Sequence, residues 1–433
     1  MNFDSVFFIS CFLPAVLLLY WLIPNLRGKN AVLLVFSLVF YAFSGIPQLF
    51  LLIMLSIINY LIGLALQAKQ GAKVWVTVGI CLNLIFLGVF KYLNFLLTQV
   101  FCLKEVNLGI AVPLGISFFS FKSIAYLIDI CRNPENAARS FWNYLLYVTF
   151  FPQIITGPIA RYRDFAPQLT ERSHSVETAA KGLRRFIVGL AKKLVISGAL
   201  GTMVDGIYAL SADVLDARLA WIAAIGYSLQ LFFDFSGYID MANGLGNLFG
   251  FTAVENFDRP YTALTIGDFW RRWHISLSSW FKDYVYIPLG GNRKGSIRTG
   301  INKCIVFFLC GIWHGASWTF LLWGIWHGLF SLLESTGVIP VKKLKKYPAI
   351  GHLYTLAVVC IGFVMFRAGS VAQGCQMITT MFTGFTVSEL GTVALCNIVS
   401  GESVAILLLG IVLCLPTKEW LCVSRGFMTA GIW

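Results

Sequence analysis

The chain has 433 residues, of which 58% are hydrophobic and only 12% are charged. A soluble globular protein carries roughly twice that charged fraction, so the composition excludes an ordinary soluble domain. Apolar runs of about bilayer length, roughly 17 to 25 residues, recur along nearly the whole chain, most clearly at 6–23, 48–66, 74–97 and 219–233. The composition therefore predicts an all-α, polytopic membrane protein.

The net charge of +13 does not indicate a nucleic-acid partner, because of where the basic residues lie. They are concentrated in short segments between the apolar runs, at 27–29, 69–73, 161–172, 181–193 and 342–346. Basic short loops are typical of the cytoplasmic side of a membrane protein and suit anionic lipid headgroups. We expect a multi-pass protein of the cell membrane that contacts lipid and binds no nucleic acid.

The first hundred residues predict simple membrane spans. Run 6–23 lacks a basic leader and a small-residue cleavage site, so we interpret it as a retained helix and not a signal peptide. Runs 31–43 and 48–66 are separated by the turn sequence Ser44-Gly45-Ile46-Pro47 and predict a helical hairpin. Run 74–97 then crosses again. This order puts the N-terminus and loop 103–107 outside the cell.

The pattern changes after residue 111, where apolar runs become shorter and are broken by Gly, Pro, Ser and charged residues. Segment 150–158 contains two prolines in an apolar setting, and non-helical backbone at membrane depth survives only inside protein or beside a watery cavity. After residue 346 the runs 353–366 and 403–415 return to simpler spans. We divide the chain into N-terminal helices (1–111), a catalytic core (112–333) and C-terminal helices (334–433), which together form one structural unit.

Asp234 and Asp240 lie within an apolar run, where ionisable residues are costly and usually mark function. Six residues of separation places them on different sides of one helix, unless Gly237 breaks it. A structural role, with each carboxylate bonded to backbone or to an arginine, is favoured over direct acid–base chemistry. Asp234 is kept as a candidate for the polar wall of a tunnel.

Segment 270–284 carries an aromatic stripe at helical spacing that predicts one amphipathic helix at the membrane interface. Membrane anchoring alone would explain the stripe. The adjacent Arg271 and Arg272, however, suit a phosphate-bearing donor, and His274 has no obvious structural partner in the sequence. The basic turn ending in Asn292 and Arg293 could add to the same anion site.

His314 lies between Trp313 and Gly315 in a long apolar stretch. A histidine in hydrocarbon should be neutral, and a neutral imidazole can take the proton of a hydroxyl that attacks a thioester. From this residue alone, structural hydrogen bonding and catalysis are equally open.

His327 follows His314 by thirteen residues, which would put the two on different faces of a straight helix. They could converge only if the chain turns near Ser317. No third ligand is evident, and the eleven cysteines show no C-x-x-C pair. We therefore predict no metal site, no disulfide framework and no bound cofactor.

Eight motifs between residues 112 and 330 belong to one pattern: 112–118 (VPLGISF), 151–153 (FPQ), 157–161 (GPIAR), 233–238 (FDFSGY), 256–261 (NFDRPY), 270–283 (WRRWHISLSSWFKD), 286–293 (YIPLGGNR) and 313–316 (WHGA). In this order they resemble the membrane-bound O-acyltransferase family, specifically the bacterial branch typified by the alginate O-acetylation membrane protein. Departures are modest: Lys122 replaces an expected glutamine and Ile239 an expected serine. The chain is also shorter at its end than that branch.

The resemblance implies a ring of about 10–12 transmembrane helices, with short re-entrant or interfacial helices and a central tunnel. The family's characteristic histidine falls on His314, and the histidine of its tryptophan–arginine helix falls on His274. These two are the expected catalytic residues. The expected donor-binding or tunnel-lining residues are Arg271, Arg272, Trp273, Asp234, Trp313, Asn292 and Arg293.

The implied function is transfer of an acyl group, most simply acetyl from acetyl-CoA, to a hydroxyl of an extracytoplasmic polysaccharide or cell-wall glycan. An alternative donor is D-alanine or another acyl group on a cytoplasmic acyl carrier protein. An extracytoplasmic acetyltransferase is a further expected partner. A non-catalytic channel or lipid flippase is the alternative of another class, but it leaves the tryptophan–histidine motifs unexplained.

Overall fold

The computed structural model describes residues 1–68, 71–103, 108–252 and 254–415. Regular structure in these ranges is helical, and the only pairing of strand type is an isolated antiparallel bridge between Phe257 and Trp273. The predicted all-α class is confirmed.

The longer helices of the first half are α1 (Phe8–Leu22), α2 (Leu26–Ala42), α3 (Ile46–Gln67), α4 (Ala72–Val100), α5 (Ile116–Arg132), α6 (Phe141–Thr149), α7 (Val176–Tyr208) and α8 (Ala217–Leu248). Helices α1, α3, α4 and α8 begin within two residues of the predicted apolar runs 6–23, 48–66, 74–97 and 219–233. Two one-turn helices, Tyr162–Phe165 and Pro167–Thr170, lie between α6 and α7.

The second half has shorter elements between its long helices. They are α9 (Ile266–Arg272), α10 (Ile275–Phe281), α11 (Gly295–His314), α12 (Trp318–Thr336), α13 (Val341–Lys346), α14 (Pro348–Arg367), α15 (Val371–Thr383), α16 (Glu389–Ile398) and α17 (Gly401–Cys414).

Six helices of the described ranges are long and apolar enough to cross a bilayer, namely α3, α4, α7, α8, α11 and α14. The pair α16–α17, bent by 73°, makes up to seven, and α1 is a shorter apolar helix. Large apolar side chains on these helices are exposed, such as Leu353 at 72% and Val74 at 65%. Water would not tolerate so much exposed hydrocarbon, so the predicted polytopic membrane protein is confirmed.

The described chain packs into two compact units. The first comprises Met1–Leu190 with Tyr238–Glu255, and the second comprises residues 191–237 with the described residues from 256 onwards. Helices α7 and α8 each contribute residues to both units. The sequence-based division at residues 111 and 333 stays a prediction.

The first unit is built around a cluster of phenylalanines. Phe8, Phe12, Phe40 and Phe151 are almost fully buried, and their ring centroids lie 5.5 to 6.3 Å apart. The turn that follows α6 is non-helical and its first four residues are buried, as predicted for segment 150–158. Burial inside protein is what makes irregular backbone tolerable at membrane depth.

A polar pair joins two spans of the first unit. The buried amide of Asn59 on α3 and that of Asn83 on α4 exchange hydrogen bonds of 2.7 and 3.3 Å. Interhelical amide bonds of this kind stabilise packed helices in lipid.

Helix α8 is not broken at Gly237, the possibility that the sequence left open. It runs without interruption from Ala217 to Leu248, and the two acids consequently have different partners. Asp234 accepts a hydrogen bond of 2.6 Å from Lys193, and Asp240 accepts one of 2.9 Å from Arg185.

The second unit contains a tightly packed hairpin of α11 and α12. A Cβ atom at Gly311 would lie 2.5 Å from the carbonyl oxygen of Phe320, and one at Gly324 would lie 2.5 Å from that of Phe307. The two backbones therefore touch at a point where only glycine fits. The chain reverses at Gly315, and Ser317 caps α12 by accepting from the N–H of Thr319.

We predict that Gly311→Ala destabilises the protein by about 1 to 3 kcal/mol, because the added methyl meets rigid backbone. Gly88→Ala on α4 is the matched control, since its Cβ would meet nothing within 4 Å. Thermal unfolding in detergent measures the difference. An equal melting temperature for the two variants would contradict the close approach of α11 and α12.

Candidate active site

The aromatic segment 270–284 does not form the single helix that its spacing predicted. Helix α9 ends at Arg272, Trp273 is extended, His274 adopts a left-handed conformation (φ 48°, ψ 55°), and α10 begins at Ile275. The expectation of one continuous amphipathic helix is therefore wrong. Trp273 and the α10 residue Leu277 are buried, at 5% and 3% exposure, so these stripe residues do not lie at an interface with lipid.

A neighbouring extended segment causes this break. The N–H of Asp258 donates to the carbonyl of Arg272 at 2.9 Å, and the N–H of Ile275 donates to the carbonyl of Asn256 at 3.0 Å. These bonds compete with the helical bonding of residues 272–275. Helical periodicity carries no information about such pairing, because the partner lies outside the periodic segment.

The left-handed backbone of His274 stores strain. Of the described residues only Cys102, Arg259 and His274 have positive φ without being glycine. A non-glycine residue in this region costs of order 1–3 kcal/mol and persists when its surroundings fix it, often at functional sites. This strain makes His274 a stronger candidate for a functional residue than its position in the sequence alone.

Asn256 fixes the orientation and the tautomer of His274. Its Oδ1 accepts a hydrogen bond of 2.9 Å from the backbone N–H of Ser276, an obligate donor that identifies the oxygen. The same Oδ1 lies 3.3 Å from His274 Nδ1, which must therefore carry the imidazole proton. His274 Nε2 is left with a lone pair and no hydrogen-bond partner in the described structure.

The environment of His274 favours its neutral form. The side chain is 2% exposed, and burial, with a smaller effect of His314, holds the pKa of His274 well below its ordinary value. An uncharged imidazole with a free lone pair can accept a hydrogen bond or a proton.

His314 is the last residue of α11 and is held among aromatic rings. The ring centroids of Trp313, Trp323 and Phe366 lie 4.9, 5.0 and 5.1 Å from its imidazole. Trp313 in turn lies 6.1 Å from His274. The end of α11 thus brings the two predicted catalytic histidines to one place.

Both histidines open on one cavity of about 530 Å³ within the second unit. We call it the histidine cavity. Its principal lining residues are Trp270, Arg271, Trp273, His274, Leu277, Phe281, Lys282, Lys303, Phe307, Cys310, His314, Glu334 and Lys345. A passage therefore leads to His314, and the side chain is not sealed in solid protein.

His327 lies close to this site without lining the cavity. The indole of Trp323 contacts both histidines of the hairpin, with centroid distances of 5.0 Å to His314 and 5.2 Å to His327. The indole N–H of Trp270 also donates to His327 Nδ1 at 3.4 Å. The turn near Ser317 makes this convergence possible, as the sequence analysis required.

The remaining predicted residues divide into two groups. Arg271 and Trp273 line the histidine cavity with His274 and His314. The predicted residues that do not line it are Trp313, Arg272, Asp234, Asn292 and Arg293. Of these, Trp313 is buried beside both imidazoles, and Arg272 is bonded to Asp268 at 3.0 Å.

Sequence reasoning missed the acidic residue that holds α9. Glu334 on α12 accepts hydrogen bonds from the N–H groups of Ile266 and Gly267 at 2.6 and 2.9 Å. Its oxygens satisfy the first donors of α9, and Tyr354 donates to it as well, at 3.1 Å. No sequence motif links residue 334 to residue 266, so only the fold reveals this cap.

Comparison with known proteins assigns the family. Residues 36–378 match the membrane-bound O-acyltransferase (MBOAT) family. The chain belongs to this family. The sequence-based recognition is confirmed, and with it the assignment as an O-acyltransferase that crosses the membrane several times.

Several curated relatives carry more specific names. The chain is 39% identical to the probable alginate O-acetylase AlgI of Azotobacter vinelandii, over 92% of this chain and 82% of that protein. It is 38% identical to the peptidoglycan O-acetyltransferase of Helicobacter pylori, over 74% and 67% of the two chains. It is 28% identical to the teichoic acid D-alanyltransferase of Bacillus subtilis, over 58% and 68%.

We predict that Asn256→Ala abolishes acyl transfer while the protein remains folded. The variant loses the acceptor of Ser276 N–H and of His274 Nδ1–H, at a cost in stability of about 1 to 3 kcal/mol, and the imidazole is no longer held towards the cavity. Transfer activity and thermal unfolding are measured on the same preparations.

Asn302→Ala is the control for this experiment. Asn302 is also a fully buried amide, and it donates to the carbonyl of Gly291 at 2.9 Å, outside the histidine cavity. It should lose stability and keep its activity per folded molecule. Equal activities of the two variants, normalised to folded protein, would contradict the positioning role of Asn256.

Proposed function

We propose that the protein transfers an acetyl group from a cytoplasmic thioester to a hydroxyl of an extracytoplasmic polysaccharide at the cell membrane. The observation that carries this proposal is that His274 and His314 open on one cavity, one of them with an unpartnered lone pair. The names of the alginate and peptidoglycan O-acetylating relatives support acetyl as the group and a glycan as the acceptor.

His314 acts as the general base in this proposal. Its neutral imidazole takes the proton of the acceptor hydroxyl while the oxygen forms a bond to the thioester carbonyl carbon. The carbon–sulfur bond then breaks, and the leaving thiolate receives the proton from the imidazolium. The aromatic rings packed around His314 reduce the space for water, which would otherwise compete as the acceptor.

His274 orients the donor. With its proton on Nδ1 and bonded to Asn256, its Nε2 accepts a hydrogen bond from an amide N–H of the donor arm. Fixing the donor in this way brings the carbonyl carbon into reach of the attacking oxygen, an effect on orientation that contributes strongly to rate.

We predict that His314→Ala lowers the rate of O-acetylation by roughly 100-fold or more, the usual worth of a general base, without loss of expression or membrane insertion. His352→Ala is the control, since this histidine of α14 does not line the histidine cavity. Ester content of the cell's polysaccharides is the readout. Undiminished acetylation in the His314 variant would contradict the assignment.

The donor has a second candidate. The relationship to the teichoic acid D-alanyltransferase favours, as the alternative, D-alanine or another acyl group supplied by a cytoplasmic acyl carrier protein. The acceptor would then be a cell-wall polymer. The chemistry at His314 is the same for both donors.

Membranes incubated with labelled acetyl-CoA distinguish these donors. Because acetyl-CoA can serve directly only if the enzyme binds it, we expect label in the glycan from wild-type membranes and none with His314→Ala. Transfer from an aminoacylated carrier protein, with no label from acetyl-CoA, would establish the alternative and refute acetyl-CoA as donor. An extracytoplasmic acetyltransferase that completes transfer stays a prediction about partners.

A further inference from the structure

One face of α11 forms a wall of the histidine cavity from a lysine to the catalytic histidine. Lys303, Phe307, Cys310 and His314 line the cavity and recur at intervals of three and four residues, as one face of a helix requires. At 1.5 Å per residue the two ends of this row are separated by roughly 16 Å. The cavity is therefore an elongated groove along α11.

Lys303 marks a cationic end of the groove, since Arg271 lies near enough to act on its ammonium electrostatically. Lys282 and Lys345 also line the groove, and Glu334 is the single carboxylate among the described lining residues. The oxygens of Glu334 already accept from the N–H groups at the start of α9. The lining residues therefore carry a net charge of three positive units.

Lys303 is oriented by a hydroxyl group and makes no direct ion pair in the described structure. Its ammonium donates to Ser335 Oγ at 2.8 Å, the side chain is half-buried, and no described carboxylate pairs with it. Lys345, on α13, likewise has no ion pair within the described ranges. Arg271, in contrast, is bonded to Asp268 at 2.9 Å. Glu334 interacts with the ammonium of Lys303 at longer range, but no direct ion pair satisfies it, which suits an anionic ligand.

Between the cationic end and the histidines the walls are apolar. Phe307 and Cys310 lie between Lys303 and His314 on α11, and Trp270 packs against Phe307 with ring centroids 5.3 Å apart. The groove thus has an anion-binding end, a slender apolar middle and a reactive end, in that order along α11. A long, thin ligand with one anionic end matches this arrangement.

We propose that Lys303 and Lys345, with Arg271, bind the phosphate of a phosphopantetheine arm, the part shared by acyl-CoA and by acylated carrier proteins. This inference rests on the proposed function. Fourteen bonds join that phosphorus to the thioester carbonyl carbon, and an extended chain gains at most 3.3–3.6 Å per three bonds, or roughly 16 Å in total. A phosphate at Lys303 therefore places the carbonyl carbon at His314.

From the sequence, phosphate binding was predicted for Arg271 and Arg272. Arg272 is bonded to Asp268 and does not line the groove, whereas the two lysines come from α11 and α13, which are distant from the aromatic segment in sequence. The phosphate site is thus assembled by the fold and could not be recognised as a motif.

Binding of 4′-phosphopantetheine and of pantetheine, which lacks the phosphate, tests the proposal directly. Isothermal titration is performed on the full chain in lipid nanodiscs. We expect the phosphorylated compound to bind at least roughly tenfold more tightly, the equivalent of one charge-assisted hydrogen bond. Equal affinity of the two compounds for the wild-type protein would overturn the proposal.

Variants of the two lysines locate the site. Lys303→Gln and Lys345→Gln should each remove most of the preference for phosphate and leave pantetheine affinity unchanged, and Lys303→Arg should keep it. Lys343→Gln is the matched control, because this exposed lysine of α13 does not line the groove. Because Lys345 is exposed, its variant remains informative if Lys303→Gln fails to fold. A phosphate preference that survives Lys345→Gln and any folded Lys303→Gln would refute the assignment.

Two further experiments identify which donor carries the phosphopantetheine arm and test the proposed function independently of this inference. Coenzyme A and a phosphopantetheinylated carrier protein should both weaken in Lys303→Gln, and the tighter wild-type ligand identifies the physiological donor. His314→Ala should keep the phosphate preference while losing transfer. Preference for phosphate without any acyl transfer in the wild type would refute the proposed function alone, and transfer without that preference would refute this inference alone.

Discussion

The pairing of segment 256–258 with residues 272–275 is the constraint on which the site depends. It interrupts an aromatic segment that would otherwise continue as a helix, and it forces His274 into a left-handed backbone. The side chain of Asn256 then fixes the imidazole by accepting from Nδ1 and from the neighbouring backbone. The strain at one residue is therefore balanced by several hydrogen bonds, and the outcome is a buried lone pair that faces a cavity.

The second half of the site comes from close packing and not from hydrogen bonding. Glycines at 311 and 324 let α11 and α12 approach until their backbones touch, and the turn at Gly315 exposes His314 at the end of α11. Glu334 then ties α12 to the start of α9, the helix that carries Arg271. Two histidines distant in sequence thus share one cavity. Backbone hydrogen bonding positions His274, and close packing of two helices positions His314.

Much of this arrangement could be predicted from sequence. Apolar length predicts the spans, because a bilayer demands about twenty apolar residues whatever their order, and the histidine–glycine motif led to His314. Periodicity failed at Trp273, where a distant backbone segment competes with the helix. At Gly237 it held, because α8 continues through a glycine that could have weakened it.

Residues that act through the fold were not predictable. Lys303, Lys345 and Glu334 belong to no motif, and each is significant only because α11, α12 and α13 surround the same groove. His327 was dismissed as a metal ligand for lack of partners, and its actual neighbours are the indoles of Trp270 and Trp323.

The central claim is that one groove carries a thioester from a cationic end to His314. Cryo-electron microscopy of the protein with a non-hydrolysable acetyl-CoA analogue tests it most directly. The account predicts continuous density along α11, with phosphate beside Lys303 and the carbonyl analogue beside His314. Density for the analogue elsewhere, with the groove along α11 empty, would contradict it.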